Sequence, residues 1–403
     1  MAGDDMDELR ETGQGQHAAL DGVEPSPMLN GVEPSPMLDG VEPSPMLDGV
    51  EPPAVLARVR ALVDPALRAA VDRLQGEHMR RIAGYHMGWL DADGQPLPGD
   101  GVGGKAIRPT LAVLSAEAAG GTAAQGIPGA VAVELVHNFS LIHDDIMDRD
   151  VERRHRPTAW VVFGEGQAIL AGNALLNAAV DVLVRDGAAG LRALPSLVTA
   201  VEGLIDGQSA DLDLETRGDA DLDEVLAMEA GKTAALLACS SSIGALAAGA
   251  DTQVVDALAG YGHELGMAFQ LVDDILGITG DAAATGKSSS SDVRAGKRSA
   301  PIVAALTSGT AASDQLARLF AGGPLTADDD VTHATKLIDE AGGLEWAAQE
   351  ADRRLGLALR HLEILSLRDP EIRSLRDPEN SSTSSGTTSD LAALARYVVE
   401  RDR

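Results

Sequence analysis

The chain has 403 residues, of which 44% are hydrophobic and only 2% aromatic, and it carries a formal net charge of −30 with a single cysteine, Cys239. That length permits a large buried core, and a core of small aliphatic side chains suits close helix–helix packing better than sheet packing. A disulfide within the chain and a cysteine-based zinc site are excluded, and the acidic balance argues against nucleic acid as a partner.

The first element is a tail. Residues 1–53 hold twelve acidic residues and one basic residue, so they supply −11 of the charge and leave the remainder at −19. A nine-residue unit, Asp21-Gly-Val-Glu-Pro-Ser-Pro-Met-Leu29, recurs from Asn30 and Asp39, with a partial copy from Asp48. Paired prolines and Asp-Gly turns block helices, so 1–53 is expected to be a disordered acidic repeat tail. The start, Met1-Ala2-Gly3-Asp4-Asp5, has no apolar run and does not look like a secretory signal. With one cysteine, this points to a cytoplasmic protein.

From Ala54 onward apolar residues recur at spacings of three and four. Helices are expected over 54–82, 106–119, 129–150, 166–184, 191–215, 222–246, 251–278, 298–307, 329–341, 344–365 and 390–401. Breaks fall at the Gly, Pro and Asp clusters of 94–104, 120–128 and 278–296. The stretch Ala234 to Ala250 is too short to span a bilayer and is expected to be a buried core helix. Residues 366–389 repeat Ser-Leu-Arg-Asp-Pro-Glu and then run into Ser, Thr and Gly, which suggests a flexible loop.

Three signals carry chemistry. In Val136–Asp148 the residues His137, Ser140, Asp144 and Asp148 are spaced 3, 4 and 4, forming one helical stripe. Carboxylates one turn apart repel each other unless a cation joins them, and Mg²⁺ takes one or two such ligands plus phosphate and water. The apolar residues around the stripe argue against a solvated acidic face. A second pair, Asp273 and Asp274, shares a face with Gln270 in the apolar segment 266–274. Two such pairs facing each other across a bundle would hold Mg²⁺ around a diphosphate. The third signal is a set of cations beside these motifs: Lys105 and Arg108 after a Gly pair, Arg153 and Arg154, Lys232, and Lys287 with Lys297-Arg298. In so acidic a chain they are better explained as phosphate clamps than as scattered surface charge.

In order and spacing these segments resemble the trans-type polyprenyl synthetase family, which includes farnesyl and geranylgeranyl diphosphate synthases. The likeness covers Ala54 to Arg403 apart from 366–389. It implies an all-α fold, an antiparallel helical bundle of the isoprenoid synthase type with a central active-site cavity, in a homodimer. It implies a transferase that condenses isopentenyl diphosphate with allylic diphosphates, using three Mg²⁺ ions. Asp144 and Asp148 would hold two ions and Asp273 the third, with Asp145, Asp274, Gln208 and Asp211 beside them. Arg153, Lys232 and Lys287 would contact the allylic diphosphate, and Lys105, Arg108, His137 and Arg154 the isopentenyl diphosphate. Thr233 and Gln270 would face the developing allylic cation, and Lys297 would close over the site.

The resemblance also makes residues just upstream of Asp144 the floor of a product tunnel. Phe139 with the small neighbour Ser140 points to a twenty-carbon product, geranylgeranyl diphosphate, with the fifteen-carbon farnesyl diphosphate as the alternative. By helix geometry alone Ser140 lies on the Asp144 stripe and Phe139 on its flank. There are departures from the family pattern. Gly277 stands where a third aspartate is usual, Lys287 leads the run Ser288–Ser291, Asn173 replaces an aspartate and Ala106 a basic residue. Two other readings remain. A class I terpene cyclase would lack the Lys105/Arg108 pair and carry an Asn/Ser/Glu triad. A non-catalytic regulatory subunit of a prenyl synthase is favoured by Gly277 and the serine run.

Overall fold

The computed structural model describes residues 52–98, 106–217, 219–280, 290–373 and 383–400. The repeat tail, Lys105 and Lys287 therefore lie outside the described residues. Apart from a two-stranded hairpin, the regular elements are helices. The fold opens with α1 (Pro52–Asp72), α2 (Glu77–His86), α3 (Ile107–Ala118) and α4 (Ala123–Met147). The hairpin pairs β1 (Glu152–Arg153) with β2 (Arg156–Pro157), antiparallel. Then come α5 (Ala159–Phe163), α6 (Glu165–Arg185), α7 (Ala188–Thr216) and α8 (Leu222–Glu229). A π-helical turn, Ala230–Ala234, leads into α9 (Ala235–Ala248), followed by α10 (Thr252–Thr279). The chain finishes with α11 (Ser291–Ala295), α12 (Ala300–Thr307), α13 (Ala311–Phe320), α14 (Asp328–Glu340), α15 (Gly343–Arg373) and α16 (Thr383–Glu400).

Small residues let these helices approach closely. α9 packs against α3, α4, α7 and α10, and Ile243 on α9 is fully buried. The stretch Ala234 to Ala250 is thus the buried core helix that its composition suggests. α10 runs along α15, and Tyr261 ties it to the last helix by donating from its hydroxyl to Leu391 O at 2.8 Å. At Gly207, an added Cβ would lie 2.2 Å from Lys232 N, so only glycine lets α7 meet the π-helical turn here. That contact brings Asp211, one turn further along α7, beside Lys232.

Several expected boundaries shift. The single run 54–82 is two helices, broken at 73–76 before α2. α4 starts at Ala123, six residues early, with Gln125 Oε1 accepting from Thr122 N at 2.9 Å in the manner of a capping box. The helix α13 falls in a segment left without one. The loop expected over 366–389 is helical at both ends, because α15 continues to Arg373 and α16 begins at Thr383. Thr387, Thr388 and Ser389 are buried, so the last residues of this run belong to the packed bundle. Helices α6 and α7 are long and apolar enough to cross a membrane by length and composition alone.

Candidate active site

A cavity of about 460 Å³ opens between the ends of α4, α7 and α10. From α4, Asp144 and its C-terminal capping residue Asp148 line it. From α7 come Asp211 and Glu215, and from the π-helical turn Lys232 and Thr233. Gln270, Asp273 and Asp274 enter from α10, while Lys297 and Arg298 close the far side. The two aspartate segments therefore do face one cavity. π-helical turns interrupt α-helices mostly at functional sites, and this one turns Lys232 and Thr233 toward the cavity.

Neighbouring residues on a helix point about 100° apart, and in each aspartate pair the second member turns inward. Asp145 is 1% exposed and accepts from Arg153 Nε at 2.6 Å. It does not line the main cavity, where it was expected beside the metals, but a small cleft behind it. Asp274 is also buried, and accepts from Gln270 Nε2 at 2.8 Å and from Ala300 N at 3.1 Å. Gln270 in turn accepts from the Thr233 hydroxyl at 2.7 Å. This chain of bonds fixes both residues expected to face an allylic cation.

The electrostatics are those of a site short of positive charge. Burial pushes the Asp144 carboxyl up to about 6, with Lys232 opposing and Asp148 reinforcing the shift. Lys232 Nζ is 2.5 Å from Asp211 Oδ2. Burial alone would lower Lys297, but Asp292, Asp148, Asp211 and Glu215 together raise it. Burial, then Asp274, push the Glu229 carboxyl well above its ordinary range, against the second motif.

The gap at Gly277 has an occupant. A Cβ there would lie 2.3 Å from Asp292 Oδ2, so the Asp292 carboxylate fills the space beside the position where the third aspartate is usual. Asp292 lines the same cavity, and its backbone carbonyl accepts from Lys297 N at 2.9 Å. Sequence reasoning missed Asp292, Glu215 and Glu229, while Arg298, read beside Lys297 as a phosphate clamp, does line the cavity. Glu215 could have been found one turn after Asp211, and Glu229 one turn before Lys232.

The remaining expected residues fall elsewhere. Arg154 lines two small clefts and not the main cavity. His137 is held well below its ordinary pKa, first by burial and then by Arg108, Arg154, Arg153 and His86. Those groups therefore cluster, although Arg108 and His137 do not line the main cavity. Gln208 is 6% exposed, with no partner on either amide atom. Phe139 and Ser140 are buried in the bundle. Phe139 meets the His143 ring edge-on at 4.8 Å, and the Ser140 hydroxyl donates to His137 O at 2.8 Å.

A helical bundle with two aspartate pairs on one cavity defines a class of prenyl-transferring proteins, and comparison with known proteins agrees. The sequence profile of polyprenyl synthetase matches residues 100–338. The (2E,6E)-farnesyl diphosphate synthase of Mycobacterium tuberculosis (strain ATCC 25618 / H37Rv) is 47% identical over 305 residues, covering 75% of this chain and 84% of that protein. The geranylgeranyl diphosphate synthase of the same strain is 43% identical over 311 residues, covering 77% and 88%. The crystal structure of a polyprenyl synthetase from Streptomyces coelicolor A3(2) superposes with a TM-score of 0.76 and 47% identity, covering 86% of this chain and 99% of that one. The chain belongs to the polyprenyl synthetase family. Within it, this protein is a short-chain prenyltransferase with the all-α isoprenoid synthase fold.

Proposed function

We propose that the protein joins isopentenyl diphosphate to an allylic diphosphate in a Mg²⁺-dependent reaction, with geranylgeranyl diphosphate as the main product. The observation that carries this is the charge of the cavity. Nine carboxyl groups line it against four cations, Arg153, Lys232, Lys297 and Arg298. A diphosphate cannot enter such a field unless divalent ions accompany it. Among the described residues no three His, Cys, Asp or Glu side chains converge on one point. That suits Mg²⁺, which keeps waters and completes its shell with phosphate oxygens. On this reading Asp144 and Asp148 would hold two ions and Asp273 a third.

Bound there, Mg²⁺ would neutralise the leaving diphosphate as the allylic C–O bond ionises. Lys232, Arg153 and Lys297 would bind the phosphate oxygens, and Asp211 would keep Lys232 aimed at them. The Thr233–Gln270 pair, held by Asp274, would turn oxygen lone pairs toward the carbocation. Leu141, Leu214, Met228 and Leu276 supply apolar wall that keeps water from quenching it. The isopentenyl double bond then attacks, and the proton it loses passes to the departing diphosphate.

Product length rests on Phe139 with its small neighbour Ser140. The 47% identity to a farnesyl diphosphate synthase favours the fifteen-carbon product as a second reading. The deciding experiment is product analysis of the purified protein given isopentenyl diphosphate with dimethylallyl, geranyl or farnesyl diphosphate, with and without Mg²⁺. A dominant twenty-carbon product that requires Mg²⁺ supports the proposal. No product from the protein alone would favour a regulatory subunit.

The same reading includes a homodimer. Leu191, Val198, Ile205 and Leu212 stand seven residues apart on α7 and are 37–54% exposed. Ile169, Leu170 and Val184 are exposed on the adjacent α6. A heptad-spaced apolar row beside a second apolar helix fits the same surface of another copy.

A further inference from the structure

Outside the main cavity, the cleft behind Asp145 holds a group that the site description leaves unused. Tyr85 and His86 close α2, and the hairpin β1–β2 lies against them. Arg156 donates to Tyr85 O and Leu90 O, both at 3.0 Å, and stacks over the Tyr85 ring at 4.3 Å. The Tyr85 hydroxyl donates to Pro157 O at 2.7 Å. The hairpin turn is Arg154-His155, with φ of +52° and +60°. Two-residue hairpin turns with positive φ favour Asn and Gly, so two side-chain-bearing residues here store strain. The Tyr85 and Arg156 anchors hold that strained turn in place, with Arg153, Arg154 and Arg156 all lining the cleft.

His86 faces these three guanidinium groups. Its Nε2 is sealed from solvent and has no hydrogen-bond partner. Buried polar atoms are nearly always satisfied, and the cost of leaving one bare is a loss that a bound ligand can recover. Burial and the three arginines keep the ring neutral against a side-chain hydrogen bond with Asn138 that favours the charged form, and in the neutral ring Nε2 can carry the proton and donate it to an anion. Asp145 is the cleft's carboxylate and is already paired with Arg153. The open volume is about 20 Å³, room for one oxygen-sized group. His86 also neighbours His137, which itself borders Arg108 and Arg154.

We propose that His86 is a further ligand of the isopentenyl substrate, donating from Nε2–H to one oxygen of its diphosphate beside Arg154. This rests on the condensation proposed above, and it names a residue outside the set that the family resemblance supplies. On that reading the allylic diphosphate belongs to the main cavity, whose lining does not include His86.

The test is His86→Ala against His86→Gln, whose amide can replace the donor. For His86→Ala, KM for isopentenyl diphosphate should rise about tenfold or more, as for one lost hydrogen bond to a charged group. KM for the allylic substrate and kcat should stay within about twofold, and His86→Gln should recover most of the loss. Calorimetric titration with isopentenyl diphosphate alone should show the same weakening, and thermal melting should show both variants folded. An unchanged isopentenyl KM and affinity would overturn the proposal. So would an equal rise in both KM values, or a glutamine variant as impaired as the alanine one. If the wild-type protein makes no product, the condensation reading has failed, while the calorimetric comparison still decides whether His86 binds this diphosphate.

Discussion

The two aspartate pairs solve the same problem with different anchors. At the end of α4, Asp144 faces the cavity while Asp145 is pinned by a cation, Arg153, brought in on the hairpin. Near the end of α10, Asp273 faces the cavity while Asp274 is pinned by neutral donors, the Gln270 amide and Ala300 N. One pair is thus tied to Arg153, the proposed diphosphate clamp, and the other to Gln270, the group expected to face the carbocation. Adjacent aspartates in this protein are therefore not two equivalent ligands. On the proposed reading the first of each pair holds an ion, while the second is tied into the local structure.

The largest expected effect breaks the shared part of that comparison. Asp144→Ala and Asp273→Ala should each lower turnover on the order of a hundredfold or more, since on the proposed reading each removes a Mg²⁺ ligand that acts on the transition state. Steady-state kinetics at saturating Mg²⁺ measure this. Near-normal turnover in both variants would remove the metal assignment.

The inward members should differ in stability. Asp145→Asn deletes the negative charge paired with Arg153, whose side chain is 26% exposed and therefore partly screened. About 1–2 kcal/mol of stability should be lost. Asp274→Asn has one oxygen for two donors, Gln270 Nε2 and Ala300 N, but removes the charge beside Glu229; the two effects offset, so it should cost less than about 1 kcal/mol. Urea unfolding of the two variants decides, and an equal or reversed order would show that the anchors do not differ as described.

Much of this site was legible because side chains that must converge were repeated along helices at turn spacing. Asp144, Asp148, Asp273, Lys232, Thr233, Gln270 and Asp211 all reach one cavity, as their spacing and the family likeness suggest. Periodicity cannot show which way adjacent aspartates turn, so Asp145 was expected among the metals. Nor can it reveal a residue that reaches the site from a different segment, as Asp292 does across from Gly277. His86 was invisible for the same reason, since its significance comes from the arginines on a hairpin about seventy residues away. The all-α fold followed from helical periodicity and the family likeness, but composition misled at the end of the Ser/Thr run, where Thr387, Thr388 and Ser389 are buried on a helix. The start of α4 was missed because Pro128 reads as a breaker, whereas the Thr122/Gln125 cap begins the helix upstream of it.

Restoring the usual third aspartate sharpens the comparison from the second motif's side. Gly277→Asp would drive a Cβ to within 2.3 Å of Asp292 Oδ2 and set two carboxylates against each other. Overpacking of this kind typically costs about 1–3 kcal/mol. The double variant Gly277→Asp/Asp292→Ala should recover stability beyond the sum of the single changes. Strict additivity in chemical unfolding would mean that Asp292 does not occupy the vacated space.

The smallest effect concerns pH, and it isolates the hairpin side of the first motif. Burial, then Arg153 and Arg154, hold the His86 imidazole down at about 3, well below its ordinary value of about 6.5. Because the folded-state pKa is the lower one, the unfolded chain takes up a proton below about pH 6.5 that the folded chain refuses. Stability is therefore fully present above that pH and is lost as pH falls toward 3, at up to about 1.4 kcal/mol per unit. His137 is shifted the same way, so the wild type should show a steep acid limb. His86→Gln cannot titrate and should lose about 1 kcal/mol less than the wild type between pH 7 and pH 5.5. Urea midpoints at those two pH values give the comparison. Equal slopes in the two proteins would mean that His86 already takes up its proton while folded, and that the three arginines do not shape its surroundings as the hairpin geometry requires.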